Sequence, residues 1–412
     1  KANLYKCFIP RAWSLSSQVG TTAFLHPEGI YDDPKGGKLR RESYPRLRYH
    51  FQFDNEHKLF PEVHNRTKYS VNVYSNKRDP RFESISNLFS ITAIDQSFNH
   101  NGGGISEGIK TAENEWNLTG HKHRIVLITE SELDLFARLY DGVGTPALEA
   151  RLPSLHTYQL LSVLETFASF PEKLSGVSDS LYTTQHWNEV NSQKDGTIQR
   201  ETRFPQDASE LIVSGPQFFV SKPFHQTPRE ICDTNRSYDL LDLTSLPECY
   251  LPRTNYVPSC KPQEYERRTP TVPWDPNNRV TDYYRLVTRK MLPPPNERTL
   301  IAAIMPPQDA HIHGCISFTF REIERLVSLA GGVSTVPFDF YVKSTGKTNL
   351  GGETSNSFPL LDAKRCEKDA RTLALNCLTT HYAELWSECW DEGFREQRWY
   401  GDDPRLDPDF FR

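Results

Sequence analysis

Apolar and polar positions along the first hundred residues group into short periodic stretches. GTTAFLHP (20–27) runs apolar into a proline and predicts a strand that enters a turn. From Gly37 through Phe53, Leu39, Tyr44, Leu47 and Phe51 recur at helical spacing, which predicts a helix. KYSVNVYS (68–75) alternates apolar and polar residues as a half-buried strand does. Strand, helix, strand in that order suits part of a doubly wound α/β sheet.

HRIVLITESELDLFARLYDG (123–142) predicts a strand and then a helix capped by Thr129 or Ser131, with acids in its first turn. LHTYQLLSVLETFASFPEKL (155–174) is a second amphipathic helix, ended near Pro171. From about 180 to 300 the pattern breaks into short β-like pieces separated by prolines, with DYYRLVTRKML (282–292) as a helix-like exception. TLIAAIMPP and HIHGCISFTF follow as strands, then REIERLVSLAGG as a helix closed by glycine, and VPFDFYVKSTGK as a last strand. Residues 367–394 carry the clearest helical stripe, made of Leu375, Leu378, Tyr382, Leu385, Trp386 and Cys389.

The chain has 412 residues, enough for two or three domains with a sizeable core. Hydrophobic residues make up 37% and there are 29 prolines, which agrees with long, turn-rich connections. No run of 18 apolar residues spans a membrane, and no charged and apolar leader opens the sequence. The first residue is Lys, and KANLYKCFIPRAW reads as the middle of something, so a fragment or processed chain is expected. Eight cysteines without a C-x-x-C pair suggest reduced thiols and a cytoplasmic protein. The net charge of −5 argues against binding nucleic acid by charge alone, yet KLRRESYPRLR (38–48) is basic and EQRWYGDDPRLDPDFF near the end is acid-rich.

Candidate chemistry is thin when taken motif by motif. KSTGKTNL (343–350) holds the tail of a phosphate-binding loop, but Tyr341 stands where the first glycine of G-x-x-x-x-G-K-S/T belongs. The glycines of SFNHNGGGISEG (97–108) lack dinucleotide-binding spacing, and GISEG lacks the serine of a nucleophile elbow. Glu28, Asp32 and Asp33 near His26 could form a general-base site, though a solvated acidic loop explains them as well. His311, His313 and Cys315 alternate as strand ligands would, but a closed zinc site needs a fourth ligand, and no metal is assigned.

One succession stands out. GTTAFLHPEGIYDD, then KLRRESYPRLRYHFQFDNEHKLFPEV, then KYSVNVY resembles the second half of the catalytic domain of an N6-adenine DNA methyltransferase. The kind meant carries a C-terminal target-recognition domain, as in type IIG restriction-modification enzymes and the large methylases of DISARM and BREX phage-defence systems. SGPQFFVSKPFHQTPR, DLLDLTSLPECYLPRTNYVP, RTLIAAIMPP, FDFYVKSTGKTNL and LALNCLTTHYAELW resemble its recognition half, in the same order. The resemblance implies the C-terminal half of a Rossmann-like sheet (1–110), a helical connector (111–178), a β-rich target-recognition domain (179–365) and a C-terminal helix and tail (366–412).

It further implies double-stranded DNA as partner, and S-adenosylmethionine as cofactor of the parent enzyme. The base-pocket edge would fall on His26, Pro27 and Tyr69, with Phe51 nearby. Lys343, Lys347 and Asn349 would read the groove from one polar turn, and Arg253, Asn255 and Tyr256 from another. Arg200, Arg203, His225, Arg229 and Arg285 would touch phosphates, while Trp187 and Tyr256 would either stack on a base or fill a core. Arginines in loops are commonly solvated or paired with a surface acid, which is the plain alternative at each position.

The sequence departs from the family at two places. It has no Asn/Asp-Pro-Pro-Tyr/Phe loop, since PPPN (293–296) and MPPQ (305–308) are not it, and no glycine-bearing turn for S-adenosylmethionine. Both are expected upstream of residue 1, in a missing N-terminal catalytic region, so no catalytic residue is assigned. Two other readings stay open: a non-catalytic DNA-binding or scaffold subunit of a defence complex, and a sugar- or nucleotide-processing α/β enzyme.

Overall fold

A computed structural model describes residues 3–65, 67–234, 236–293, 296–361 and 366–397, and the acid-rich end of the chain lies largely outside them. The chain separates into two units, residues 1–169 with 344–346 and residues 170–343 with 347–412.

The first unit contains α1 (Tyr5–Leu15), β1 (Thr22–Pro27), α2 (Gly29–Asp32), α3 (Gly37–Ser43), β2 (Leu47–Asp54), β3 (Lys68–Tyr74), β4 (Arg81–Leu88), α4 (Thr92–Asn99), β5 (Val126–Thr129), α5 (Glu130–Tyr140) and α6 (Leu160–Ala168). Its strands form one mixed sheet in the order β1-β3-β2-β4-β5. β2 and β4 run parallel, and the other pairings are antiparallel. The single helix expected over 37–53 is therefore two elements. Pro45 has no N–H to continue the helix, and from Leu47 the period falls to 2, with Tyr49, Phe51 and Phe53 alternating with His50 and Gln52. The apparent helical stripe draws on residues of both elements.

Register puts His26 opposite Ser70, Gln52 opposite Ser70, and His50 opposite both Asn72 and Ser84. Paired residues share a face, so one side of the sheet is polar, and it is the buried side. Tyr5 of α1 stacks on His26 at 5.1 Å, and Trp13 meets Tyr74 edge-on at 5.4 Å. On the other face Phe53, Tyr69, Ile85 and Leu88 pack with Ala93 of α4. That face is open elsewhere: Leu25 is 53% and Tyr49 38% exposed. The capping box expected before α5 is present, with Thr129 N donating to Glu132 Oε2 at 2.8 Å and Ser131 N to Thr129 Oγ1 at 3.3 Å.

The second unit contains β6 (Leu181–Thr184), α7 (Glu189–Lys194), β7 (Ile198–Arg203), β8 (Ile212–Val213), β9 (Gln226–Pro228), β10 (Tyr238–Leu240), β11 (Thr254–Pro258), α8 (Pro262–Arg268), β12 (Thr271–Val272), β13 (Asp275–Arg279), β14 (Arg285–Arg289), β15 (Ala302–Met305), β16 (Ala310–His311), β17 (Cys315–Phe320), α9 (Ile323–Ser334), α10 (Val336–Ser344), α11 (Gly352–Asn356), α12 (Cys366–Asn376) and α13 (Ala383–Glu388). An antiparallel sheet runs β15-β14-β17-β6, beside the small pairs β7–β11, β9–β10, β12–β13 and the parallel β8–β16.

Several segments differ from the sequence reading. DYYRLVTRKML is the strand β14; both of its faces are buried, so no alternation shows. VPFDFYV is the helix α10, with Phe338, Tyr341 and Val342 buried and Val336 exposed. Asp339 anchors it by accepting from Thr299 N at 2.8 Å and Leu300 N at 2.7 Å. α9 runs through its glycines to Ser334; a Cβ on Gly331 would stand 2.6 Å from Thr372 Oγ1, so glycine there allows α12 to approach. The long helix over 367–394 breaks after Asn376. Asn376 Oδ1 accepts from Ile304 N at 2.9 Å and Thr380 N donates to Glu248 O at 2.8 Å, so tertiary bonds draw the chain off the helical path.

All eight cysteines are free. Among the described residues no helix is long and apolar enough to cross a membrane.

Candidate nucleic-acid interface

β7 and β11 form a two-stranded ribbon in which Thr254 faces Arg203 and Tyr256 faces Arg200, with an irregularity between. Two residues of β7, Glu201 and Thr202, thus oppose Asn255 alone, and such a bulge re-aims side chains. β9 and β10 are tied to the ribbon by Arg253, whose N–H donates to Thr227 Oγ1 at 2.9 Å and whose Nη1 reaches Pro228 O at 3.5 Å. Arg200, Arg203, His225, Arg229, Arg253, Asn255 and Tyr256 are accordingly brought into one neighbourhood.

They are not equally available. Arg203 is held by Glu210 at 2.7 Å and Glu201 at 3.0 Å, and Arg229 by Asp239 at 2.8 Å. Among the described residues Arg200 and Arg253 form no ion pair. Arg200 donates to Cys232 O at 2.5 Å, and the Arg253 guanidinium lies 4.4 Å above the ring of Phe204, which is 50% exposed. Asn255 is buried, with Oδ1 accepting from Thr202 Oγ1 at 3.0 Å and Nδ2 donating to Tyr238 OH at 2.8 Å, so its amide is spent inside the fold. Tyr256 packs partly buried against the cluster of Trp187, Ile198 and Tyr265. Trp187 itself donates Nε1 to Tyr265 OH at 2.7 Å and fills a core. The His225 ring lies 5.2 Å from Phe219; burial, then Lys222 and Arg289, hold it below the usual histidine range.

Arg285 lies elsewhere and corrects the phosphate-contact reading at that position. Its side chain has no exposed surface and is ion-paired with Asp309, donating also to Asp309 O at 2.7 Å. Burial lifts the Asp309 carboxyl to about 7 although Arg285 pulls it down, and Asp309 Oδ2 has no hydrogen-bond partner among the described residues. His186 stacks on His311 at 4.3 Å, and burial holds both rings below the ordinary range.

Lys343, Lys347 and Asn349 do not share one exposed turn. Lys343 is in the last turn of α10 and donates to Asn296 O at 3.0 Å. Lys347 is half-buried, and Asn349 pairs with Met291 in an isolated bridge. Gly346 has φ +66, a left-handed conformation that glycine adopts without penalty. A helix precedes this Gly-Lys-Thr, opposite to the order a phosphate-binding loop needs.

In the first unit Pro27 faces Tyr69 across β1 and β3, while the His26 ring points to the other side of the sheet. Tyr69 stacks on Phe53 at 5.5 Å within the apolar core. The His26 ring lies under Tyr5, with Nδ1 2.9 Å from Pro27 O and Nε2 3.5 Å from Tyr74 OH. The expected pocket edge is thus divided between two faces.

Sequence reasoning missed the polar network on that buried face. Tyr31 OH donates to Asn72 Oδ1 at 2.6 Å, and Asn72 Nδ2 to Ser70 Oγ at 2.8 Å. His50 lies between Ser84 Oγ at 2.9 Å and Glu28 Oε1 at 3.3 Å, and Gln52 donates to Glu28 Oε2 at 2.8 Å. Burial alone would raise the Glu28 carboxyl, but His50, Gln52 and Ser70 outweigh it and hold it at about 2. Carboxylate, imidazole and hydroxyl in line resemble a relay, yet His50 is 1% and Ser84 4% exposed, which seals them from substrate. The available signal was the spacing of His50 with Gln52 and of Ser70 with Asn72, had the polar side been assigned inward.

No family model and no curated protein matches the chain. Among solved structures it is similar to the type IIG restriction endonuclease BpuSI, with a TM-score of 0.30 and 9% identity over 93% of this chain and 46% of that one. The chain therefore spans about half the length of that enzyme, and a likeness this loose carries no argument about function.

Proposed function

We propose that the chain is the C-terminal region of an adenine-specific DNA methyltransferase of a restriction-modification or phage-defence system, and that its own work is to hold duplex DNA and choose the site. The observation that carries this reading is the β7–β11 ribbon. A two-stranded ribbon fits the major groove, and this one presents Arg200 and Arg253, which form no ion pair among the described residues, with Arg253 spread over an exposed phenylalanine. The order of segments along the chain supports it independently.

In the parent enzyme a methyl group would pass from S-adenosylmethionine to N6 of an adenine turned out of the duplex. The residues present do not fit that cofactor. The sequence has neither the Asn/Asp-Pro-Pro-Tyr/Phe loop nor the glycine turn, and His26 at the strand end is 2% exposed with Nδ1 turned to the Pro27 carbonyl. No step of methyl transfer is derived through them.

Binding of the chain to a mixed-sequence duplex across a salt series tests the proposal. A dissociation constant in the micromolar range or tighter, with affinity falling steeply as salt rises, is expected from several phosphate contacts. Absence of binding at low salt overturns it.

A further inference from the structure

The basic run KLRRESYPRLR takes no part in the sites above, and the fold divides it. Arg40 is buried, donating to Glu149 O at 2.9 Å and Ile30 O at 3.1 Å, and Arg41 is ion-paired with Glu149. The Arg46 carbonyl and the Arg48 guanidinium instead meet the loop SNKRDPR (75–81), while the Arg46 guanidinium lies 4.8 Å over the Trp13 ring. Two backbone bonds join the segments, Ser75 N to Arg46 O at 2.8 Å and Arg78 N to Pro45 O at 3.0 Å. The Arg48 guanidinium ties them further, donating to Leu47 O at 2.8 Å, Pro45 O at 3.2 Å, and Asn76 O.

The result gathers Arg46, Arg48, Lys77, Arg78 and Arg81 on one loop pair, within which Asp79 is the only acid, while Glu42 and Glu83 flank it. Glu42 serves Arg46 at 2.9 Å in a part-buried pair and Lys77 at 3.3 Å in an exposed contact of the kind that contributes little. Among the described residues Arg48, Arg78 and Arg81 form no ion pair. Arg78 stands near enough to Arg48 to help burial lower it, and cations held together by backbone bonds repel until an anion arrives. Alongside, exposed Tyr49 stacks on Phe51 at 5.8 Å and meets Phe98 edge-on at 6.0 Å.

We infer that the loop pair 44–48 and 75–81 is a second contact surface for the phosphate backbone of DNA, set in the first unit and separate from the ribbon. This deepens the function proposed above and rests on it. Cations spread along two loops suit a run of phosphates rather than a single ion, and the aromatic residues beside them suit a sugar-phosphate edge.

The test uses the full chain and a fluorescent mixed-sequence duplex, titrated at several salt concentrations. Three substitutions made together, Lys77→Gln, Arg78→Gln and Arg81→Gln, remove exposed side chains only, and a melting curve checks that the fold is kept. Affinity is expected to fall about tenfold or more, with the salt slope shallower by about two to three, near one per lost phosphate contact. Arg78→Lys with Arg81→Lys keeps the charge and is expected to bind within about twofold of the unsubstituted chain. If the unsubstituted chain binds DNA and the triple variant binds equally well with the same slope, this surface is overturned while the DNA reading stands. If the unsubstituted chain binds no DNA at low salt, both are overturned.

Discussion

Glu28 in the first unit and Asp309 in the second are both buried carboxylates with a basic side chain beside them. Their surroundings differ in how completely the oxygens are used. Glu28 takes His50 on one oxygen and Gln52 on the other, and sits at about 2. Asp309 takes Arg285 on one oxygen and no partner among the described residues on the other, and is lifted to about 7. At Glu28 the charge of His50, joined by hydrogen bonds from His50, Gln52 and Ser70, outweighs burial, whereas at Asp309 the charge and hydrogen bond of Arg285 on one oxygen do not.

The largest break in this comparison comes from Arg285→Met. It removes the partner of Asp309 and leaves donors and acceptors stranded, so a loss of about 3–5 kcal/mol is expected in chemical denaturation. A loss under about 1 kcal/mol would show that Asp309 folds uncharged and does not need the guanidinium.

Next comes pH. The folded carboxyl of Glu28 lies below its ordinary value of 4.5, so its stabilisation is complete above that value and is lost as pH falls toward about 2. The loss is on the order of 3 kcal/mol. Asp309 has the opposite sign: its folded value lies above the ordinary 3.8, so it favours the folded state most in acid and progressively less as pH rises toward about 7. Hydrogen exchange followed peptide by peptide below pH 4 should therefore show β2 and β3 opening before β14 and β17. Simultaneous opening would count against the contrast.

Tyr31→Phe is a smaller change. It leaves Asn72 Oδ1 without the donor now 2.6 Å away, and about 1–2 kcal/mol should be lost in a thermal melt. Smallest is Thr319→Val. Thr319 Oγ1 is buried with no hydrogen-bond partner among the described residues, so a change within about 0.5 kcal/mol, or a slight gain, is expected. A clear loss would mean that an ordered water satisfies the Thr319 hydroxyl.

The sequence revealed elements wherever one local signal sufficed. β1, β3 and β5 were legible from short apolar or alternating runs, and Thr129 with Glu132 marked the start of α5. It misled where a period spanned two elements, as at Ser43 to Leu47, or where full burial erased the period, as in β14. The ribbon residues were legible as a set of donors, but only strand pairing brings Arg200 beside Tyr256 and turns Asn255 inward. Arg285 could not be separated from the surface arginines, because its partner Asp309 is distant in sequence and meets it only in the folded unit. The basic loop pair was half visible: 38–48 stood out, but its convergence with 75–81 depends on the antiparallel return of β3.

The inward polar face of the first sheet also bears on how this chain finds its fold. Suppose β3 slipped by one residue against β2. Val71 and Val73 would then turn under Tyr31, Ser70 and Asn72 would enter the apolar side, and Tyr31 OH would lose Asn72 while Glu28 would lose Ser70. An ordinary two-faced sheet in such a slip loses packing alone, whereas here buried hydrogen-bonding groups would be stranded as well. The polar network thus penalises a wrong register twice, in packing and in lost hydrogen bonds, where a plain sheet penalises it once.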